Sequence, residues 1–245
     1  MTGRSLIAAV MIAVCIMVAG LEASALADDF ECMIEPYQEV KVSSQVPGII
    51  EEVLVERGDI VKKGQVLARL KSGVEKADVE FARAQVEFSK RKLERSRDLY
   101  EKKLISDNDK DELETEIRKG ESQLQQAIAK LELRIIRSTV DGVVVKRDLS
   151  SGEYVGDKPI LTVAQINPLN VEAIVPVRKL GSVALGMRAE VRPESPVGGV
   201  YAGTVVIVDR VIDAASGTFG VRAELPNPSL SLPAGLKCKV RFFRK

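Results

Sequence analysis

The sequence predicts an elongated, multi-domain α+β chain. It comprises a small β-sandwich built from two separated half-motifs, an antiparallel helical hairpin inserted between them, and a small β-barrel. Three observations predict this. A segment recurs in two copies, a polar stretch with a heptad seam separates the copies, and short alternating strands follow the second. In the first copy Pro47-Gly48-Ile49-Ile50 leads to Arg57-Gly58-Asp59-Ile60-Val61 and then Val66-Leu67. In the second, Asp141-Gly142-Val143-Val144 leads to Ser151-Gly152-Glu153-Tyr154-Val155 and then Ile160-Leu161. The offset is constant: 142 − 48, 152 − 58 and 161 − 67 all equal 94. Matching glycines at Gly48, Gly58, Gly142 and Gly152 are expected at structural turns, because glycine alone enters positive-φ turns without a steric penalty. Each copy is too short to bury its own apolar face, so the two must pair.

Composition narrows the chemistry. The chain has 245 residues, 4% aromatic side chains, no Trp and 29% charged residues, which suits a coiled coil with small β-modules better than one large core. A net charge of +1 provides no basic footprint for nucleic acid. The sequence has no histidine, which excludes Ser-His and Cys-His catalysis and His-ligated metals. The chain is therefore expected not to be an enzyme and to carry no cofactor or metal.

Taken in order, residues 1–27 read as a secretory signal peptide. Arg4 precedes an apolar run from Leu6 to Leu21, and Ala25-Leu26-Ala27 fits cleavage before Asp28. The competing reading is a retained anchor, although the run is short of the ~20 residues that a bilayer requires. Cys15 follows Val14, a poor small-residue site for lipidation, and belongs to the leader. Outside the cytoplasm Cys32 and Cys238 can form a disulfide. It would close a loop of roughly 200 residues, worth about 4–5 kcal/mol in the chain-entropy model. The alternative is two small apolar residues.

Residues 28–73 hold an N-terminal strand and the first half-motif, and residues 74–136 the hairpin. That insertion has no proline and a single internal glycine, Gly120. In its second arm Leu113, Ile117, Gly120, Leu124, Ala127 and Leu131 form an a/d seam. The first arm carries two stripes: Ala77, Phe81, Ala84 and Phe88, and separately Val79, Ala82, Val86, Leu93 and Tyr100. One stripe suffices for the partner arm. The other either faces a second protomer or broadens the apolar face. Lys90 to Lys103 carries seven positive and three negative side chains, and Asp107 to Gly120 six negative and three positive, so antiparallel folding places opposite charges side by side. Ser106 and Asp109 resemble a capping box that opens the second arm.

Residues 137–165 form the second half-motif and 166–245 the barrel. Val171 to Val175 alternates as a strand, and Pro176 opens a short helix through Ser182 that ends near Gly186. Strands are expected around Met187–Arg192, Tyr201–Val208, Thr218–Leu225 and Lys237–Phe243, with a turn over Asp213–Gly217. Closing them into a barrel removes exposed sheet edges.

With these segments in hand, the chain resembles the periplasmic adaptor, or membrane fusion protein, family. Its lipoyl- or biotinyl-like domain is split by a helical hairpin. Val46 to Leu67 is similar to that family's first half-motif, and Thr139 to Val144 with Gly152 to Val155 to its second. Val221 to Pro228 with Leu232 to Leu236 looks like its barrel ending. The resemblance implies a periplasmic, inner-membrane-associated adaptor that links an inner-membrane transporter to an outer-membrane channel. It also implies a ring of copies, six in number. At the hairpin tip, Arg95, Leu99 and Ser106 match the spacing the family uses to dock on the channel. Arg offers a planar fork of donors, Leu an apolar knob and Ser a hydroxyl, but Ser106 also reads as a simple cap.

The junction at Leu70-Lys71-Ser72-Gly73, where carrier domains present an attachment lysine on a tight turn, is where the hairpin leaves. A swinging-arm carrier is therefore not expected from Lys71 or Lys76. The few residues between Asp28 and the first half-motif, and after Phe243, are too short for the membrane-proximal domain of larger members. Proton-driven and ATP-driven transporters both stay open. Scarce Met after the leader and absent His argue against a metal-handling adaptor. The alternative function is a secreted coiled-coil scaffold or binding module outside any efflux pump.

Overall fold

The computed structural model describes residues 28–243; the signal-peptide reading and its cleavage site lie outside them. The chain divides into two units, one of residues 39–164 and one of residues up to 38 together with 165 onward. Strand β1 (Phe30–Val42) begins in the second of these and ends in the first. No described helix is long and apolar enough to cross a membrane.

Unit 39–164 holds the sandwich and the hairpin. Its strands are β2 (Gly48–Val53), β3 (Ile60–Val61) and β4 (Val66–Leu70) from the first copy. Then come β5 (Ile135–Arg137), β6 (Gly142–Arg147), β7 (Tyr154–Val155) and the start of β8 (Leu161–Pro176). The copies interlock: β2 pairs with β7, and β3 with β6. Their turns exchange equivalent backbone bonds. Gly58 N–H donates to the Val144 carbonyl, and Gly152 N–H to the Ile50 carbonyl, each at 2.8 Å. Val144 N–H donates to Asp59, and Ile50 N–H to Glu153, each at 2.9 Å. Every one of these bonds maps onto its partner by the 94-residue offset. So do two serine turns, in which the Ser44 and Ser138 hydroxyls donate to the carbonyls of Val46 and Val140. The core draws on both copies, with Ile50, Val61, Leu67 and Leu70 packed with Val144, Val155, Leu161 and Val163.

Gly58 and Gly152 sit in positive-φ turns, at φ 97° and 89°. Gly48 and Gly142 do not: they open β2 and β6. These two were expected at turns, and the structure corrects that reading. At Gly142 the constraint is a backbone, and at Gly48 the neighbour is the end of the Arg134 side chain. A Cβ on Gly142 would lie 2.3 Å from the Ala164 carbonyl oxygen, and one on Gly48 2.7 Å from the Arg134 guanidinium.

The hairpin arms are α1 (Gly73–Glu101) and α2 (Asp107–Glu132). At 1.5 Å per residue the arms reach about 43 and 39 Å. The second arm ends before Leu133, so the last residues expected in the hairpin form its exit turn and β5. The seam follows the heptads. Val79, Ala82 and Val86 are buried against Gly120 and Ala127, while Phe81 and Phe88 stay 74% and 51% exposed. A Cβ on Gly120 would meet Val86 at 3.2 Å, so the arms come closest there. At the root Arg134 donates to Glu75 at 2.6 and 2.9 Å and to the Pro47 carbonyl at 2.9 Å, which fixes both arms to the sandwich. The expected charge pairing is sparser than the sequence suggests. Lys90–Glu121 and Lys92–Glu116 cross between arms, whereas Arg97–Glu101 and Lys110–Glu114 stay within one.

The other unit is a barrel of β1, β8, β9 (Arg188–Pro193), β10 (Tyr201–Val208), β11 (Thr218–Leu225) and β12 (Leu236–Phe243). The order β1-β12-β9-β10-β11-β8 closes through a β1–β8 pairing. Beyond Pro176 the chain makes only a 3-10 turn, Val177–Lys179, where a longer helix was expected. Gly181 at φ 80° and an extended Leu180 stop it. The core centres on Phe30, Ile34, Leu169, Val191, Val221 and Phe242. Asn227 is buried and donates to the Ile166 and Leu232 carbonyls at 3.0 and 2.9 Å, anchoring the loop before β12. Cys32 and Cys238 stand directly opposite on β1 and β12, Cα atoms 4.8 Å apart, and are bonded.

Two stability predictions follow from this geometry. Gly142→Ala forces a methyl group onto a backbone carbonyl and is expected to cost about 3 kcal/mol. Gly152→Ala, strained but with open space around it, should cost only about 1 kcal/mol. Urea unfolding followed by far-UV circular dichroism ranks the two, and equal losses would contradict the close-approach account. Reduction of Cys32–Cys238 should lower barrel stability by about 2–5 kcal/mol, seen by calorimetry with and without reductant.

Candidate functional site

The hairpin tip carries Arg95, Leu99 and Ser106, the residues named from sequence as docking candidates. It is shaped by how the two helices end. After Lys102 closes α1, Lys103 N–H donates to the Tyr100 carbonyl and Leu104 N–H to the Leu99 carbonyl, each at 2.8 Å. This is a Schellman ending, which wants glycine at its left-handed position. Lys103 occupies that position at φ 57°. The turn thus bends sharply and leaves Leu99 and Leu104 outside the seam, 43% and 68% exposed.

The second helix starts with a complete capping box. Ser106 Oγ accepts from the Asp109 N–H at 3.2 Å, and the Asp109 carboxylate accepts from the Ser106 N–H at 2.9 Å. The Ser106 hydroxyl also donates to that carboxylate at 2.7 Å. These bonds from Ser106 hold the Asp109 carboxyl below the usual carboxylate range. Across the turn, Tyr100 Oη donates to Asp107 at 2.8 Å, and the Lys110 ammonium lies 4.9 Å from the Tyr100 ring centre. The bond to Asp107, with that residue's charge, pushes the Tyr100 phenol upward.

Of the three tip residues named from sequence, Arg95 is exposed and makes no ion pair among the described residues. Leu99 is exposed as an apolar knob. Ser106 is exposed but committed to the cap, so its hydroxyl already has a structural task. Two further features escaped the sequence reading. Leu104 shares the tip with Leu99; an apolar residue inside the polar connection was its signal. Below it the seam opens into a groove of about 580 Å³ between the arms, with Leu93, Tyr100, Ile105, Leu113 and Ile117 among its lining residues. The half-buried a/d residues near the tip, against fully buried ones near Gly120, reflect this loosening.

Elsewhere in the unit Lys71 donates its backbone N–H to Ile49 at 2.9 Å, and Lys76 lies in the first turn of α1. Neither stands on an isolated turn. Among the described residues no group of His, Cys, Asp or Glu is placed to hold a metal ion.

Residues 38–165 match the model of the CzcB-like barrel-sandwich hybrid domain, and residues 168–245 that of the CusB-like β-barrel domain. The cobalt-zinc-cadmium resistance protein CzcB of Cupriavidus metallidurans is 27% identical over 84% of this chain and 43% of its own length. The solvent efflux pump periplasmic linker SrpA of Pseudomonas putida is 23% identical over 88% of this chain and 60% of its own. A crystal structure of a MacA-MexA chimera carrying the Pseudomonas aeruginosa MexA α-hairpin domain superposes with a TM-score of 0.73. It is 22% identical, covering 88% of this chain and 81% of the chimera. That likeness shows the same fold. The chain spans about half the length of the curated relatives it matches.

The cap can be tested directly. Ser106→Ala is expected to lower hairpin stability by about 1 kcal/mol, and Ser106→Asn to restore it. Because Asp109 sits below its ordinary value near 3.9, its contribution is complete above that pH and is lost as pH falls through the lowered folded value. Thermal melts of wild type and Ser106→Ala should therefore converge on acidification. Constant separation down to the lowest pH would contradict a stabilising bond from the Ser106 hydroxyl to the Asp109 carboxylate, since the Asp109 N–H bond to Ser106 Oγ does not titrate.

Proposed function

The chain belongs to the CzcB-like barrel-sandwich hybrid family of membrane fusion proteins, and on that premise we propose that it is a non-enzymatic periplasmic adaptor of a tripartite efflux system. In this reading it links an inner-membrane transporter to an outer-membrane channel. The observation that carries it is the hairpin tip, where Arg95, Leu99 and Leu104 are exposed at the end of a rooted pair of helices. An exposed guanidinium beside two apolar knobs suits a groove between helices of a channel protein. Two relatives whose printed names speak of resistance and solvent efflux support the same role, and neither favours a free-standing scaffold.

One tip buries far less than the roughly 1,200–2,000 Å² of a stable interface. Affinity then has to come from several linked copies, which favours a ring, and the family resemblance implies six. The stripe of Ala77, Phe81, Ala84 and Phe88, turned away from α2 and left exposed, offers a neighbouring hairpin an apolar face.

Leu99→Asp and Arg95→Asp should each abolish export in cells while the purified variants keep wild-type helix content and melting. Both positions are exposed, so a folding defect is not expected. Normal export by either variant would remove tip docking from the account.

A further inference from the structure

The hairpin has two outer faces that are unlike each other and complementary. On α1 the residues turned away from α2 run from Ala77, Phe81, Ala84 and Phe88 into Arg91 and Arg95 toward the tip, all of them exposed. On α2 the exposed face begins near the tip with Asp111 and Glu112 and continues with Arg118 and Lys119. It ends uncharged, in Ser122, Gln125, Gln126 and Ala129. Spacings of three and four residues keep each set on one side of its helix. None of these charged side chains, nor Glu87, makes an ion pair among the described residues.

Height along the hairpin fixes which residues can meet. Within one hairpin, residues at equal height have numbers that add to 205–207: Ser89 bonds Glu116, Val86 lies against Gly120, and Tyr100 bonds Asp107. In a ring whose copies all point the same way, the next hairpin stands at the same height, so the rule carries across to it. It sets Ala77 against Ala129, Phe81 against Gln125 and Ala84 against Ser122 of the next copy. Nearer the tip, Glu87 and Phe88 come level with Arg118 and Lys119, and Arg95 with Asp111 and Glu112. Arg91 lies one turn from the same two carboxylates. The apolar stripe thus meets the uncharged half of α2, and each charge meets its opposite. A cation beside the Phe88 ring adds to this. Two carboxylates of α1 stand apart: Glu94 lines the groove between the arms with Lys90 and Arg97, and Asp98 comes level with the neutral Asn108. Packing α1 on α1 at equal height would instead set Arg91 and Arg95 against their own copies, which like charge opposes.

We propose that the outer face of α1 seats on the outer face of α2 in a second copy, level along the hairpin. Its apolar half covers residues 122–129, and Arg91 and Arg95 pair with Asp111 and Glu112. The two faces lie on opposite sides of the hairpin, so the contact is head-to-tail and repeats from copy to copy until the ring closes. The inference rests on the adaptor reading for the common direction of the hairpins. It adds which face receives the stripe and which charges set the register.

The test is a pair of cysteines, Ala84→Cys with Ser122→Cys, in the full chain produced in the periplasm of intact cells. Within one hairpin both helices stand between these positions, beyond the ~7 Å between Cα atoms that a disulfide tolerates. The expected result on a non-reducing gel is a ladder extending past the dimer for the pair and no cross-link for either cysteine alone. In that background, Arg91→Glu with Arg95→Glu should lose most of the ladder. Adding Asp111→Arg with Glu112→Arg should bring it back, with helix content unchanged throughout. The proposal is overturned if the paired variant stays monomeric, if Ala84→Cys alone gives dimers, which would mark an α1–α1 contact, or if the reversed charges fail to restore the ladder. Leu99 lies outside both faces, so Leu99→Asp should leave the ladder intact. A missing ladder with export still lost in Leu99→Asp removes the lateral contact alone; a ladder with normal export in Leu99→Asp removes tip docking alone.

Discussion

The reciprocal backbone bonds between Gly58 and Val144 and between Gly152 and Ile50 are what the rest of this unit depends on. Each half-motif supplies the acceptor that the other half's turn needs, and neither buries its apolar residues alone. The two halves stand 94 residues apart, so their pairing requires the ends of the intervening chain to lie close together. A helical hairpin is the economical solution. Its contacts are local, it forms quickly, and it brings its two ends together. Closing a flexible loop of that length would cost more entropy than closing a preformed hairpin. The insertion is thus compatible with the sandwich because it is helical and antiparallel.

The root of the hairpin passes rigidity outward. Arg134 follows α2 and holds Glu75 in α1 together with the Pro47 carbonyl just before β2. Three segments that diverge here are held by one guanidinium, a planar donor that a lysine could not replace in kind. From this clamp to Gly120 the arms are tightly packed; beyond it the seam relaxes into the groove below the tip. Packing energy is concentrated at the base. The far end keeps exposed apolar and charged groups that a stable monomer does not need.

How much of this was legible in the sequence depends on what kind of signal each feature left. Periodicity was readable: the α2 seam residues and the buried α1 stripe fall where the heptads placed them, because 3.6-residue spacing fixes the face. The strands Tyr201–Val208 and Thr218–Leu225 keep the boundaries expected of them. The glycine repeat was visible but its causes were not. Spacing shows that Gly48 and Gly142 match, yet only tertiary contact shows that at Gly142 a backbone carbonyl, rather than a turn, excludes a side chain. The first strand was assigned beside the half-motif, whereas residues 30–38 complete the barrel, since strand pairing at long range leaves no local mark. Leu104 was passed over because a single leucine in a polar turn has no period to reveal it.

Lys103 shows why the tip has the form it has. A non-glycine residue in the left-handed region costs about 1 kcal/mol, and glycine would relieve it. The chain instead keeps a cation there, next to Leu104 and four residues beyond Leu99, while Arg95 lies one further turn back along α1. Stability alone does not account for an ion at a position that prefers glycine, whereas Leu99 and Leu104 stand at the two positions where a Schellman ending favours apolar side chains. Ser106 differs from these residues in that its capping bonds fully explain it. The physical case for docking therefore rests on Arg95, which has no ion-pair partner among the described residues, and on Leu99 and Leu104, which stay 43% and 68% exposed at the helix ending they form.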